Sequence, residues 1–255
     1  MEQQNKLQLP TEMVELPSKG LLYPADSPLA SGQIEMKYMT AKEEDILSNQ
    51  NYIKQGTVFD KLIKSLIVTK IDYEDLLLGD KNAILIAARI LGYGKDYEIK
   101  ITHPVTGEEE ITVVDLSAIK QKEIDESLYK AGVNEFTFTL PASKNEVTFK
   151  LLTHKDESII DQEIKGLKKA NLSADVTTRL KHCIVAINGD REKKTIRDFV
   201  DNYLLAVDAK ALREYMKKIS PDLDLTFTFV ASDGYTQEGV EIPIGISFFY
   251  PSFGV

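Results

Sequence analysis

The chain holds three histidines and a single cysteine, and two of these four side chains are neighbours, His182 and Cys183. A thiol beside an imidazole invites a nucleophile–base pairing. On a helix, however, consecutive residues project about 100° apart and do not face each other. Cys183 also falls on an apolar stripe with Val176, Leu180, Ile184 and Ile187, where a free cysteine serves as a small hydrophobe. His154 follows Thr153 in the first turn of a helix and reads as a surface residue. The acidic pairs Glu43-Glu44 and Asp156-Glu157 suggest acid–base couples, but each sits in a helix's first turn, where the dipole favours negative charge. Leu91-Gly-Tyr-Gly-Lys95 lacks the spacing of a phosphate loop and follows a helix instead of opening one, so it reads as a helix stop. His103-Pro-Val-Thr-Gly107 offers one imidazole, which even with Asp233 falls short of a zinc shell. A plain turn is expected there, with no metal and no cofactor. Arg191, Lys193, Lys194 and Arg197 form a basic cluster, read as a solvated loop with contact to an acidic partner as the alternative. No catalytic residue is assigned, and the chain is expected not to be an enzyme.

The elements that position these side chains come in two matching sets. Ile34-Glu-Met-Lys-Tyr-Met-Thr-Ala-Lys-Glu-Glu-Asp-Ile-Leu47 reappears without a gap as Val147-Thr-Phe-Lys-Leu-Leu-Thr-His-Lys-Asp-Glu-Ser-Ile-Ile160. Both run an alternating strand into Thr, a second residue, Lys, two acids and then paired aliphatics. Upstream, Leu16-Pro-Ser-Lys-Gly20 has a counterpart in Leu140-Pro-Ala-Ser-Lys144. Downstream, Phe59 to Ile67 aligns with Thr177 to Val185, and Leu77-Leu-Gly-Asp80 with Leu205-Ala-Val-Asp208. The extra residues of the second set fall in polar stretches, where insertions cost little. Such self-similarity governs the whole architecture.

Local signals fill in the elements. Thr40 with Glu43 three residues later is a capping box opening a helix. Val58, Phe59, Leu62, Ile63, Leu66 and Ile67 make an apolar face at helical spacing. Asp80 is expected to cap a helix over 82–91 that is apolar on nearly every side, ends at Gly92 and is therefore buried. Thr195 with Asp198 starts another helix. Residues 97–113 and 223–242 read as hairpins, packed through Ile99, Ile101, Ile111 and Val113 and through Leu225, Phe227, Val240 and Ile242. Prolines at 10, 17, 24 and 28 keep residues 1–32 out of regular helix or central strand. The expected fold is α+β: a tandem pseudo-repeat of a helical cluster plus an antiparallel hairpin, with an extended N-terminal arm. Its divisions are the arm at 1–32, repeat one at 33–116, a connecting segment at 117–134, repeat two at 135–247 and an aromatic tail at 248–255.

Composition excludes several classes of function. With 43% hydrophobic and 28% charged residues the chain is globular instead of disordered. A net charge of −9 argues against direct nucleic-acid binding, which needs a basic face. No apolar run approaches the roughly 20 residues that span a bilayer, so no stable membrane insertion is expected. The N-terminus lacks the basic and apolar regions of a signal peptide, and one cysteine fits a reducing cytosol.

The series Leu16-Pro-Ser-Lys-Gly-Leu-Leu-Tyr-Pro24, Met36-Lys-Tyr-Met-Thr-Ala-Lys-Glu-Glu-Asp-Ile-Leu47, Gly56-Thr-Val-Phe-Asp-Lys-Leu-Ile63 and Asp75-Leu-Leu-Leu-Gly-Asp-Lys-Asn-Ala-Ile84 resembles the baseplate protein family of T-even-type contractile-tail phages. The closing Ile242-Pro-Ile-Gly-Ile-Ser-Phe-Phe-Tyr-Pro251 is similar to that family's last segment. The resemblance implies a non-enzymatic component of the baseplate or its central hub, located in the virion tail and in the host cytoplasm during assembly. Its partners would be other baseplate, hub and tail proteins, with homo-oligomerisation one arrangement open to it. The alternative is an assembly chaperone for the hub that leaves before the virion is complete. The chain departs from the family at the hairpin tips, where relatives carry Cys-Pro-x-Cys-Gly-like pairs suited to zinc and this sequence has no cysteine. Leu16, Pro17, Leu21, Leu22 and Tyr23 of the arm, with Phe248, Phe249, Tyr250 and Phe253 of the tail, are the expected partner-binding residues. Aromatic anchors of that kind dominate interface energetics.

Overall fold

Alternation in the strand ahead of Thr40 puts Ile34 and Met36 on one buried side, and the same pattern buries Val147 and Phe149 ahead of Thr153. The computed structural model describes residues 9–249. Its first half comprises β1 (Thr11–Glu15), β2 (Gln33–Lys37), α1 (Ala41–Ser48), α2 (Gln50–Gln55), α3 (Val58–Leu66), α4 (Leu78–Tyr93), β3 (Asp96–Thr102) and β4 (Glu109–Asp115). The second comprises β5 (Phe136–Thr139), β6 (Glu146–Phe149), α5 (His154–Lys169), α6 (Asp175–Cys183), β7 (Ile184–Ile187), α7 (Lys193–Asp198), α8 (Ala206–Ile219), β8 (Thr226–Val230), β9 (Thr236–Glu241) and α9 (Ile246–Phe249). The strands form small antiparallel sheets, β1-β2, β3-β4, β5-β6-β7 and β8-β9, so the fold is mixed α+β.

The two halves run through the same events. Each opening pair of strands is joined by a connection that starts with the leucine–proline turn, and Lys19 and Lys144 in those turns both take left-handed backbone, at φ 50 and 63. Each second strand is followed within four residues by a threonine that opens the next helix through a capping box, Thr40 with Glu43 and Thr153 with Asp156. Ile67 after α3 bridges to Met36, and Ile184 after α6 pairs with Phe149, where the contact grows into the strand β7. The residues preceding α4 and α8, Leu77 and Leu205, have φ/ψ of −64/147 and −64/145. A hairpin then closes each half.

Several local expectations are corrected. Helix α4 begins at Leu78, so Asp80 lies inside its first turn and not at the cap. The helix runs past Gly92 to its C-cap at Gly94, whose φ of 83 suits glycine. Gly92 faces the Met39 side chain, and a Cβ there would lie 2.4 Å from the Met39 sulfur, so Met39 would have to shift. In the first hairpin Glu98 stands opposite Val113 and Lys100 opposite Ile111. Opposed residues share one face, so Ile111 and Val113 project outward with those charged neighbours, at 69% and 58% exposure. The inner face is made by Tyr97, Ile99 and Val114. In the second hairpin Ile242 is buried, Leu225, Phe227 and Val240 are half-buried, and Phe229 is an additional core residue.

Both ends of the described residues are part of this architecture. Strand β1 pairs with β2 along its whole length, from Thr11↔Lys37 to Glu15↔Gln33, and Leu16, Leu22, Tyr23 and Leu29 behind it are buried. At the other end Phe248 packs edge-on against Tyr97 at 4.9 Å and Phe249 against Phe59 at 5.6 Å. Arg89 ties this turn down by donating from Nε to the Phe248 carbonyl at 2.8 Å. Hydrophobic contact is continuous from Leu16 to Phe249 through both halves. Among the described residues no helix is long and apolar enough to cross a membrane.

Candidate functional site

The best-built polar groups are a pair of carboxylates that hold the leucine–proline turns. Asp80, in the first turn of α4, accepts from the Ser18 amide at 2.9 Å, the Ser18 hydroxyl at 2.7 Å and the Tyr23 hydroxyl at 2.6 Å. Tyr23 Oη in turn accepts from the Leu77 amide. Burial pushes the Asp80 carboxyl above its usual range, and the three donors oppose that rise. Burial and the Asp80 charge push the Tyr23 phenol far upward, so it stays a donor. In the second half Asp208 accepts from the Ala142 and Ser143 amides at 2.8 and 3.0 Å. Burial opposes its ionisation, but those N–H bonds outweigh it and hold the carboxyl below the usual range.

The acids read as helix-start residues are clamps as well. Glu43 accepts from Ser65, from Thr40 twice and from Lys37 at 2.6 to 2.9 Å. Burial disfavours its charge, yet these bonds win and hold the carboxyl down at about 2. Asp156 takes the same position in the second half, bound by Thr153 and by Lys150 at 2.6 Å. In both halves, then, a lysine at the end of the strand, Lys37 in β2 and Lys150 just past β6, neutralises the acid three residues past the capping threonine.

The two halves meet along the segment before α4. The His154 amide donates to the Leu76 carbonyl at 2.8 Å, the Leu78 amide donates to the Leu152 carbonyl, and Leu77 pairs with Thr153 as an antiparallel bridge. His154 is buried in this seam instead of lying on the surface: its ring packs on Tyr73 at 4.5 Å, with Asp60 and Lys81 beside it. Burial lowers its pKa, so the ring is held neutral. Gly79 admits the Pro221 carbonyl, which would lie 1.8 Å from a Cβ. A groove of about 770 Å³ opens beside the seam, lined by Leu78, Leu152, Met216, Lys122 and Asp222 among others.

The remaining chemistry-bearing side chains are committed elsewhere. Cys183 is buried, which pushes its thiol up to about 12, while His182 turns to Glu163 at 2.9 Å. Arg191 pairs with both oxygens of Glu135 at the surface. His103 is buried at its hairpin tip, where Nδ1 accepts from the Val105 and Thr106 amides. The fold brings that tip against the other one, with His103 Nε2 3.6 Å from Asp233 and its ring 4.8 Å from Tyr235. Among the described residues no group of three or more His, Cys, Asp or Glu side chains is placed to hold a metal.

Of the expected partner-binding residues, Leu16, Pro17, Leu22, Tyr23, Phe248 and Phe249 are buried in the chain's own core, and Leu21 is half-buried. The buried six pack into the hydrophobic core, and Leu21 keeps part of its surface exposed. Tyr250 and Phe253 lie outside the described residues. The clamp acids Asp80 and Asp208 were visible in the sequence as aligned positions, though not in their role. The exposed segment 203–207, which carries Tyr203, Leu205 and Val207, gave no signal by periodicity. No curated protein and no solved structure matches the chain. A family model for the T4 bacteriophage base plate protein matches residues 12–249, nearly all of the described structure, and the chain belongs to that family.

Proposed function

We propose that the chain is a non-enzymatic structural subunit of the central hub of the baseplate, acting through contacts with other baseplate and tail proteins. One observation carries this beyond family membership. Each candidate catalytic group is tied to a structural neighbour: Glu43 and Asp156 to capping threonines, His154 to the seam, Cys183 to the core. In this reading residues 33–116 and 135–247 are two copies of one unit, and the described parts of the flanking segments, 9–32 and 248–249, pack into the same core. The chain assembles in the host cytoplasm and remains in the virion. The test is removal of the gene from its phage. Arrested particles lacking a complete baseplate, with tail proteins left unassembled, are expected. Normal infectious particles would overturn the proposal.

A further inference from the structure

The seam between the halves uses one segment of each, and the counterpart segment of each half, though its Met39 or Leu204 packs on the core, has no such backbone pairing among the described residues. Face A is the segment before α4, Leu76 to Leu78; face B is the strand-to-helix junction of the other half, Leu152 to His154. The second half has its own face A in Leu204 to Ala206, and the first has its own face B in Met39 to Ala41. Backbone conformation is shared. Leu77 and Leu205 agree to within a few degrees, and Thr40 and Thr153 are both extended, at ψ 174 and 171. Burial differs sharply. Leu77 is 3% exposed in the seam, whereas Leu205 is 49% exposed and is flanked by Tyr203 at 63% and Val207 at 57%. Likewise His154 is buried and Ala41 is exposed.

We propose that a second copy of this chain docks its Met39–Ala41 junction on the Leu204–Ala206 segment, repeating between chains the contact already made within one. The Ala41 amide would donate to the Leu204 carbonyl and the Ala206 amide to the Met39 carbonyl, as His154 and Leu78 do in the seam. Tyr203, Leu205 and Val207 would lose their exposure. Such a contact is head-to-tail, so copies add in one direction and close into a ring or continue as a filament. It rests on reading the chain as an assembly subunit and names one partner, itself.

Sedimentation of the purified full-length chain over a range of concentrations tests it. The wild type should rise above the mass of one chain, and Leu205→Asp and Ala41→Arg should each stay at one chain with unchanged circular dichroism. Val207→Asp is a second face A variant should Leu205→Asp fail to fold. Mixing Leu205→Asp with Ala41→Arg should restore a one-to-one pair and nothing larger, because each retains the face the other has lost. A wild type of one-chain mass at every concentration, self-association that survives both variants, or a mixture that does not pair would overturn it. None of these results bears on whether the protein is found in particles, which is measured separately.

Discussion

Asp80 holds both the amide and the hydroxyl of Ser18, at 2.9 and 2.7 Å, across 62 residues of sequence. The same carboxylate takes the Tyr23 hydroxyl, so one side chain fixes the path of the chain between β1 and β2 onto the start of α4. Asp80→Ala would strand three buried donors, and a loss of roughly 3 kcal/mol is expected from the desolvation of unpaired groups. Urea titration with equal slopes for wild type and variant measures it. A change within experimental error would show that the turn is held by packing alone. Asp208→Ala should act in the same direction with a smaller effect, since Asp208 accepts from the Ala142 and Ser143 amides of one turn and has no counterpart of the Tyr23 bond.

Acid should weaken the Thr40 junction. The Glu43 carboxyl stands at about 2 against an ordinary 4.5. A depressed folded-state pKa contributes stability that is complete above the unfolded value and is lost as pH falls through the folded one. The loss from this group therefore falls between about pH 4.5 and 2. Glu43→Gln should be less stable than wild type at pH 7, and the gap should narrow across that window. A gap independent of pH would show that Glu43 is not held as a buried anion.

Phe248 and Phe249 are fully buried, and Phe248 meets both Tyr97 and the Arg89 hydrogen bond. Phe248→Ala should cost about 3–5 kcal/mol, the range for emptying a core site of that size. Thermal unfolding checks it. Undiminished stability, combined with failure to enter baseplates, would return these aromatics to the docking role their composition suggested.

Gly79 and Gly56 separate crowding from backbone strain. A methyl at 79 collides with the Pro221 carbonyl, while at 56 nothing lies within 4 Å but φ is +71. Gly79→Ala should cost roughly 2 kcal/mol or more by forcing the seam apart. Gly56→Ala should lose about 1 kcal/mol through the left-handed backbone alone. Denaturant midpoints rank the two. The reverse order would mean that the 220–222 loop yields easily.

The mixed α+β character was legible because it is carried by local signals. Thr40 and Thr153, each with an acid three residues on, both cap helices as their sequence pattern indicated. What stayed hidden depends on tertiary pairing. Ile111 and Val113 look like core residues until their register against Lys100 and Glu98 turns them outward. His154 looks like a surface residue because its counterpart is Ala41, but the seam covers only one member of that pair. Phe248 and Phe249 have the composition of an interface, and only the position of Tyr97 and Phe59 makes them core. Position along the chain cannot distinguish a hydrophobe that meets its own fold from one that meets a partner.

The central claim is that this protein works by being built into the baseplate. Quantitative mass spectrometry of purified phage particles, calibrated against known tail proteins, addresses it directly. The account predicts the chain at a fixed whole-number ratio to the other baseplate proteins in every preparation. Its absence from finished particles, with abundance only in infected-cell extracts, would contradict that claim and identify an assembly chaperone instead.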